Sequence, residues 1–232
     1  MPRLGVSDTP PDLNASVWAF PVVGLVTGLV GAGVYAIVIG VGLPVTLAAI
    51  FTIGIMILMT GAMHEDGLAD VADGFGGGQS IERKLEIMRD SNIGTYGMVA
   101  IVLAIALRIG SLSALSTSGV VTGLIIASVL SRLMMVFVMR FMQPARKDGL
   151  AHDAGKPSIW SVLVGSVISI GVAYYLAGLT TTAFVLLAAV LSCLIMAWIA
   201  KRQIGGVTGD VLGATQQVSE ISILVLLVAL WN

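Results

Sequence analysis

The chain has 232 residues, 57% of them hydrophobic and 11% charged, with a mean hydropathy of +1.00 and a formal net charge of −1. A soluble domain carries about 25% charged residues, so a soluble globular protein is excluded and a polytopic membrane protein is expected. The net charge says little, because the distribution of charges matters more than their sum.

Residues 1–14 are polar and Pro-rich with no apolar core, so no signal peptide is expected there. Seven apolar segments follow, at about 17–40, 44–63, 96–115, 119–140, 159–177, 181–200 and 219–231. Each approaches the roughly 20 residues that span a bilayer. The last is short, and spans only if Val218 and its neighbours enter the bilayer or the membrane thins locally. The fold class predicted is all-α, a membrane bundle of about seven transmembrane helices forming a single domain over 1–232. In the first segment Gly24 and Gly28 form a GxxxG pair, with Gly31 and Gly33 following. Small residues at that spacing let membrane helices approach closely. A nucleotide-binding reading fails, because no Walker-type glycine loop ending in Lys-Ser or Lys-Thr exists. The single cysteine, Cys193, excludes an intrachain disulfide and a cysteine-based zinc site, and reads as a small packing residue.

The loops alternate sharply. Those around 40–44, 116–118 and 178–180 are tiny and uncharged. The other set carries nearly every charge: Arg3 in 1–16, Arg83, Lys84 and Arg89 in 64–95, Arg146, Lys147 and Lys156 in 141–158, and Lys201 and Arg202 in 201–218. Arg140 adds to these at a helix end. The positive-inside rule makes this set cytoplasmic, which puts the N-terminus inside and the C-terminus outside.

The most informative run is His64-Glu65-Asp66-Gly67-Leu68-Ala69-Asp70-Val71-Ala72-Asp73-Gly74. On a helix, at about 100° per residue, Asp66, Asp70 and Asp73 fall within roughly 60° of one another. Three like charges that close need a counter-charge, and carboxylates suit Mg²⁺, Mn²⁺ or Ca²⁺. Residues 64–90 hold seven of the thirteen acidic residues: these three aspartates with Glu65, Glu82, Glu86 and Asp90. The segment reads as the end of the second helix, a glycine break at Gly76-Gly77-Gly78, then a helix from Ser80 to Met88 with Ser80 as its N-cap. That break lets Asp90 approach the first three aspartates. The expected chemistry is a two-metal site that clamps a pyrophosphate, with one carboxylate able to act as general base. A solvated acidic helix end is the plainer alternative. His64 and Glu65 lie off the aspartate face.

Arg89, Arg146, Lys147 and Lys156 can bind phosphate oxygens, or simply set topology and meet anionic headgroups. Arg108 and Arg132 lie inside apolar segments, where charges are costly and face a cavity or a partner. Arg132 can snorkel or reach a substrate phosphate, and Glu220 is a plausible partner for one of the two. Trp18, Trp160, Trp198 and Trp231 are as readily interfacial anchors as ring contacts.

The stretch from His64 to Gly97 closely resembles the cobalamin synthase family, also called adenosylcobinamide-GDP ribazoletransferases. The resemblance rests on Asp66-Gly67-Leu68-Ala69-Asp70, Asp73-Gly74, Leu85-Glu86-Ile87-Met88-Arg89-Asp90-Ser91 and Ile93-Gly94-Thr95-Tyr96-Gly97. Phe20-Pro21-Val22-Val23-Gly24, Ala145-Arg146 with Asp148-Gly149-Leu150, and Gly205-Gly206-Val207-Thr208-Gly209-Asp210 through Gly213 to Glu220 agree as well. The resemblance implies a Mg²⁺-dependent integral membrane enzyme, using two ions, in a bacterial or archaeal cytoplasmic membrane. A ribose hydroxyl of α-ribazole, or of its 5′-phosphate, attacks adenosylcobinamide-GDP; GMP leaves, and adenosylcobalamin or its 5′-phosphate forms. Asp66, Asp70 and Asp73 would be metal ligands, with Asp73 also in the catalytic set. Asp90 would complete the site or take the hydroxyl proton, and Arg89 would stabilise the phosphates. Arg146, Lys147, Arg132 and Asp210 are the expected substrate-binding residues. The expected partners are the two small-molecule substrates and membrane lipid, with a homo-oligomer open and no nucleic acid. Two departures stand out: the family usually has an apolar residue where Glu65 stands, and Pro2-Arg3-Leu4 looks like an abbreviated form of a longer N-terminal stretch.

Two other readings compete. A CDP-alcohol phosphotransferase normally has an Ala-Arg pair after its Asp-Gly and a later Gly-x-x-x-Asp-x-x-x-Asp, whereas this chain has Ala69-Asp70 and no such second half. A divalent-cation transporter would place acids near the bilayer midplane on broken helices, often with an inverted repeat, and no repeat is apparent.

Overall fold

The computed structural model of the chain describes residues 16–149, 151 and 154–231. Arg3, Leu150 and the expectations for the N-terminus lie outside them. A short 3₁₀ turn at Val17–Ala19 leads into α1 (Phe20–Gly40), followed by α2 (Val45–Thr60), α3 (Met63–Gly77), α4 (Ile81–Ile87), α5 (Thr95–Ala114), α6 (Thr117–Phe141), α7 (Ile159–Ile204) and α8 (Gly209–Trp231). By length and composition, α1, α5, α6, α7 and α8 can each cross a membrane, and the bent pair α2–α3 is a sixth candidate.

The centre of the bundle is α6, buried without interruption from Gly123 to Val136. A helix that is apolar all round belongs inside. Helix α1 lies directly against it. A Cβ on Gly28 would sit 2.8 Å from Ile125 Cα, and one on Gly24 would strike the Ser128 carbonyl. The GxxxG pair is therefore a packing surface.

Helix α7 is a hairpin. Gly165 packs beside Leu133 while the Cys193 thiol lies 3.8 Å from the Met134 carbonyl oxygen. In a straight helix those two positions would be about 42 Å apart, yet they meet adjacent residues of α6. The reversal falls at Gly178, whose φ of 72° and ψ of 177° are open to glycine. This agrees with an uncharged turn at 178–180 between two apolar segments.

Three boundaries differ from the sequence expectation. Helix α2 has 16 residues, about 24 Å long, and then the chain bends by 87° into α3. Left-handed Gly61 and Ala62, with φ of 63° and 58°, make the bend. The break thus precedes the acidic motif, and the expected loop 64–95 is largely helix. At the other end α8 starts at Gly209, not near 219, because Gln216, Gln217, Ser219 and Glu220 are buried inside the bundle. Their polarity lowers the local hydropathy although the helix continues through them. The expected loop 201–218 shrinks to residues 205–208 for the same reason.

Trp18, Trp160 and Trp198 are exposed at the end of the bundle that carries the basic loops, and the Arg202 guanidinium lies 4.4 Å from the Trp198 ring centre. That arrangement suits a membrane–water interface.

Candidate active site

Helix α3 crosses the N-terminal end of α8 on glycine surfaces. A Cβ at Gly67 would lie 2.8 Å from the Asp210 carbonyl oxygen and 3.0 Å from its Cα, and one at Gly213 would lie 3.2 Å from His64 Cα. Only a residue without a side chain lets the two backbones come this close. The contact brings Asp210 to the acidic face of α3.

A second junction fixes Arg146. The Ala145 amide donates to the Val207 carbonyl and the Val207 amide to the Gln143 carbonyl, both at 2.9 Å. These bonds tie the chain after α6 to the chain before α8. Arg146 donates to the Leu85 carbonyl at 3.2 Å and stands 3.6 Å from Asp210 Oδ2. Thr208 donates its hydroxyl to Asp210 Oδ2 at 3.1 Å and accepts the Val211 amide at 3.3 Å. It thereby caps α8 and orients the carboxylate.

Two neighbouring cavities result. One, of about 270 Å³, is lined by Asp66, Asp70, Arg89, Asp90 and Asn92. The other, of about 120 Å³, is lined by Arg146, Asp148, Thr208 and Asp210. Arg89 and Asp148 join their rims through a 2.5 Å ion pair. Asp66 is exposed and Asp70 half-buried. Burial first, then the charges of Asp66, Asp210 and Asp73, push the Asp70 carboxyl up to about 7, against the pull of Arg146. Crowded carboxylates of this kind create a place for a cation.

The remaining expected residues separate. Asp90 does reach the cavity of Asp66 and Asp70, as the glycine break allows. Its Oδ1 accepts the Asn92 backbone amide at 3.0 Å and the Asn92 side-chain amide at 2.7 Å, which hold its carboxyl below the usual range. Asp73 turns away from the open cavity: its two oxygens accept the Gly94 amide at 2.7 Å and the Gly97 amide at 2.8 Å. It caps α5, a tie from the acidic helix to its neighbour. Lys147 is exposed. Arg132 lines neither cavity; it is buried in α6 and donates to the Ser128 carbonyl at 3.0 Å. A guanidinium at that depth takes the nearest carbonyl of its own helix. Thr208, Asp148 and Asn92 were not read as functional from sequence. Thr208 and Asp148 have a signal only as members of the motifs around Asp210 and Arg146, and Asn92 has none beyond its place two residues after Asp90.

Among the described residues no three His, Cys, Asp or Glu side chains converge tightly enough to hold one ion by themselves. Mg²⁺ does not require such a cage. It keeps several waters and is bound by one or two carboxylates together with substrate phosphates. Oxygen donors on Asp66, Asp70 and Asp210, faced by Arg146 and Arg89, fit that pattern.

The fold and site define a class: an all-helical, multi-pass membrane protein with a carboxylate cluster and opposing guanidinium groups at one end of the bundle. The family model for cobalamin-5-phosphate synthase matches residues 1–228, and the chain belongs to that family. The adenosylcobinamide-GDP ribazoletransferase of Bradyrhizobium diazoefficiens is 46% identical over 215 residues, covering 92% of this chain and 83% of that protein. The protein of the same name from Azorhizobium caulinodans is 43% identical over 222 residues, covering 93% and 84%. That from Mesorhizobium japonicum is 42% identical over 214 residues, covering 91% and 82%. No solved structure matches the chain.

Proposed function

We propose that this bundle joins α-ribazole, or its 5′-phosphate, to adenosylcobinamide-GDP with release of GMP, at a Mg²⁺ site held by Asp66, Asp70 and Asp210. The activity follows from the family and its named relatives. The observation that carries the site is the meeting of Asp66, Asp70 and Asp90 on one cavity, with Asp210 and Arg146 on its neighbour.

A ribose hydroxyl attacks the phosphorus on the cobinamide side of the pyrophosphate. The new P–O bond forms as the bond to GMP breaks, and the hydroxyl proton passes to a carboxylate of the acidic set that lines the cavity. Bound Mg²⁺ supplies charge neutralisation on the pyrophosphate oxygens and the leaving group. Asp66 and Asp70 on one side and Asp210 on the other suit two ions. Arg146, fixed by the Leu85 carbonyl, offers a guanidinium to the phosphates. Arg89 stands ready to exchange Asp148 for a phosphate oxygen. Asp90, its carboxylate held by the two Asn92 amides, stands on the rim of the cavity shared with Asp66 and Asp70. Asp73 acts through α5 by fixing the pitch of the acidic helix.

The site faces the cytoplasm of a bacterial inner membrane in this reading. Support comes from Arg89, Arg146, Lys147, Lys201 and Arg202, which gather at that end, while the turns at 41–44 and 178 carry no charge. The test is direct. Purified protein is incubated with Mg²⁺, adenosylcobinamide-GDP and α-ribazole 5′-phosphate, and mass spectrometry looks for GMP and the joined product. Equimolar appearance of the two is expected; no GMP with any divalent metal overturns the reading.

A further inference from the structure

Beneath the aspartates lies a second charged group that the reaction does not use. Glu65 precedes Asp66 directly but points into the bundle, where it is 5% exposed. Its Oε1 lies 2.8 Å from Arg108 Nη1 and accepts the Gln217 amide at 3.0 Å. Arg108 Nη2 lies 2.9 Å from Glu220 Oε1. Gln216 donates to Glu220 Oε2 at 2.6 Å and to the Ser131 hydroxyl at 3.2 Å. The group joins α3, α5, α8 and α6, and Arg132 close by balances two carboxylates with two guanidiniums.

Adhesion does not explain it. A buried ion pair rarely stabilises more than apolar side chains of the same volume, and charges within a membrane-spanning bundle are costly to place there. Direction does explain it. Helix α3 leaves α2 through a bend and meets α8 on the surfaces of Gly67 and Gly213, close backbone contacts that carry no side-chain hydrogen bond of their own. The Gln217 amide on Glu65, and Arg108 held between Glu65 and Glu220, supply the directional ties from α3 to α8, beside those that Asp73 makes to the start of α5. Glu65 acts one peptide unit from Asp66.

We infer that Glu65, Arg108 and Glu220 are positioning residues, a brace that holds α3 so that Asp66 and Asp70 face Asp210. The inference rests on the reading of those aspartates as the cation site.

Three variants test it in detergent or nanodiscs: Glu65→Gln, the charge-balanced double variant Glu65→Leu with Arg108→Leu, and Asp66→Asn as reference. GMP release is followed against Mg²⁺ and against adenosylcobinamide-GDP, with thermal unfolding recorded in parallel. Both brace variants should lose about 10- to 100-fold in kcat and need more Mg²⁺ for half-saturation, with KM for adenosylcobinamide-GDP unchanged. The double variant leaves Glu220 facing Arg132, so it reports on positioning even if Glu65→Gln does not fold. Wild-type kcat and Mg²⁺ dependence in the double variant, whatever its unfolding temperature, overturn the brace. Wild-type turnover in Asp66→Asn instead overturns the cation site on which the brace depends.

Discussion

Gly67→Ala isolates the approach of α3 to α8. The added methyl would lie 2.8 Å from the Asp210 carbonyl oxygen and 3.0 Å from its Cα. Carbon atoms rest at about 3.5–4.0 Å, so the two helices must part by about 0.5–1 Å. Both obstructing atoms are backbone, and no rotamer change relieves them. Overpacking of this kind costs about 1–3 kcal/mol, while alanine in place of glycine in a helix returns about 1 kcal/mol. Global stability should therefore change little, by about 0–2 kcal/mol. Catalysis should suffer far more, because a 1 Å misplacement in a site can cost about 100-fold and the shift separates Asp210 from Asp66 and Asp70. The assay is kcat for GMP release beside the unfolding temperature, with Gly110→Ala as control, since a Cβ there meets nothing within 4 Å. Wild-type kcat in Gly67→Ala, with the protein folded, would refute the claim that this contact builds the site.

Asp73→Ala leaves the Gly94 and Gly97 amides without their acceptors and should cost about 1–3 kcal/mol, seen as a lower unfolding temperature. Gly178→Ala forces a side chain to φ 72° at about 1–3 kcal/mol, and should destabilise the hairpin without altering KM. The Asp70 carboxyl is raised to about 7, so protons compete with the cation below that pH. The Mg²⁺ concentration for half-saturation should rise as pH falls from 8 to 6 and level off above 8. Asp70→Asn should remove that dependence at a much reduced rate, and a flat Mg²⁺ requirement across this range in the parent protein would argue against Asp70 as a ligand.

Helicity, membrane insertion and the shared face of Asp66 and Asp70 were legible in the sequence, because each follows from local composition and the 3.6-residue period. The tiny turn at Gly178 and the packing role of Gly24 and Gly28 were legible for the same reason. The start of α8 was not, since Gln216, Gln217 and Glu220 look like loop residues until their partners Ser131 and Arg108 are brought beside them. Nor could periodicity divide the labour among the acids. Asp73 shares the helix face of Asp70 but meets the amides of α5, and Glu65 turns inward to Arg108.

The sequence by itself determined the all-helical bundle, the end of it that carries the charges, and the acidic motif that marks the family. Those properties come from side-chain chemistry repeated along one stretch of chain. The resemblance named Asp210 and Arg146 for the site, but the tertiary structure decided how they are held beside Asp66 and Asp70, that Asp73 caps a helix, and that Arg132 stays in the bundle. These are contacts between distant segments, set by where α3 turns after Ala62 and by how closely Gly67 lets α8 approach.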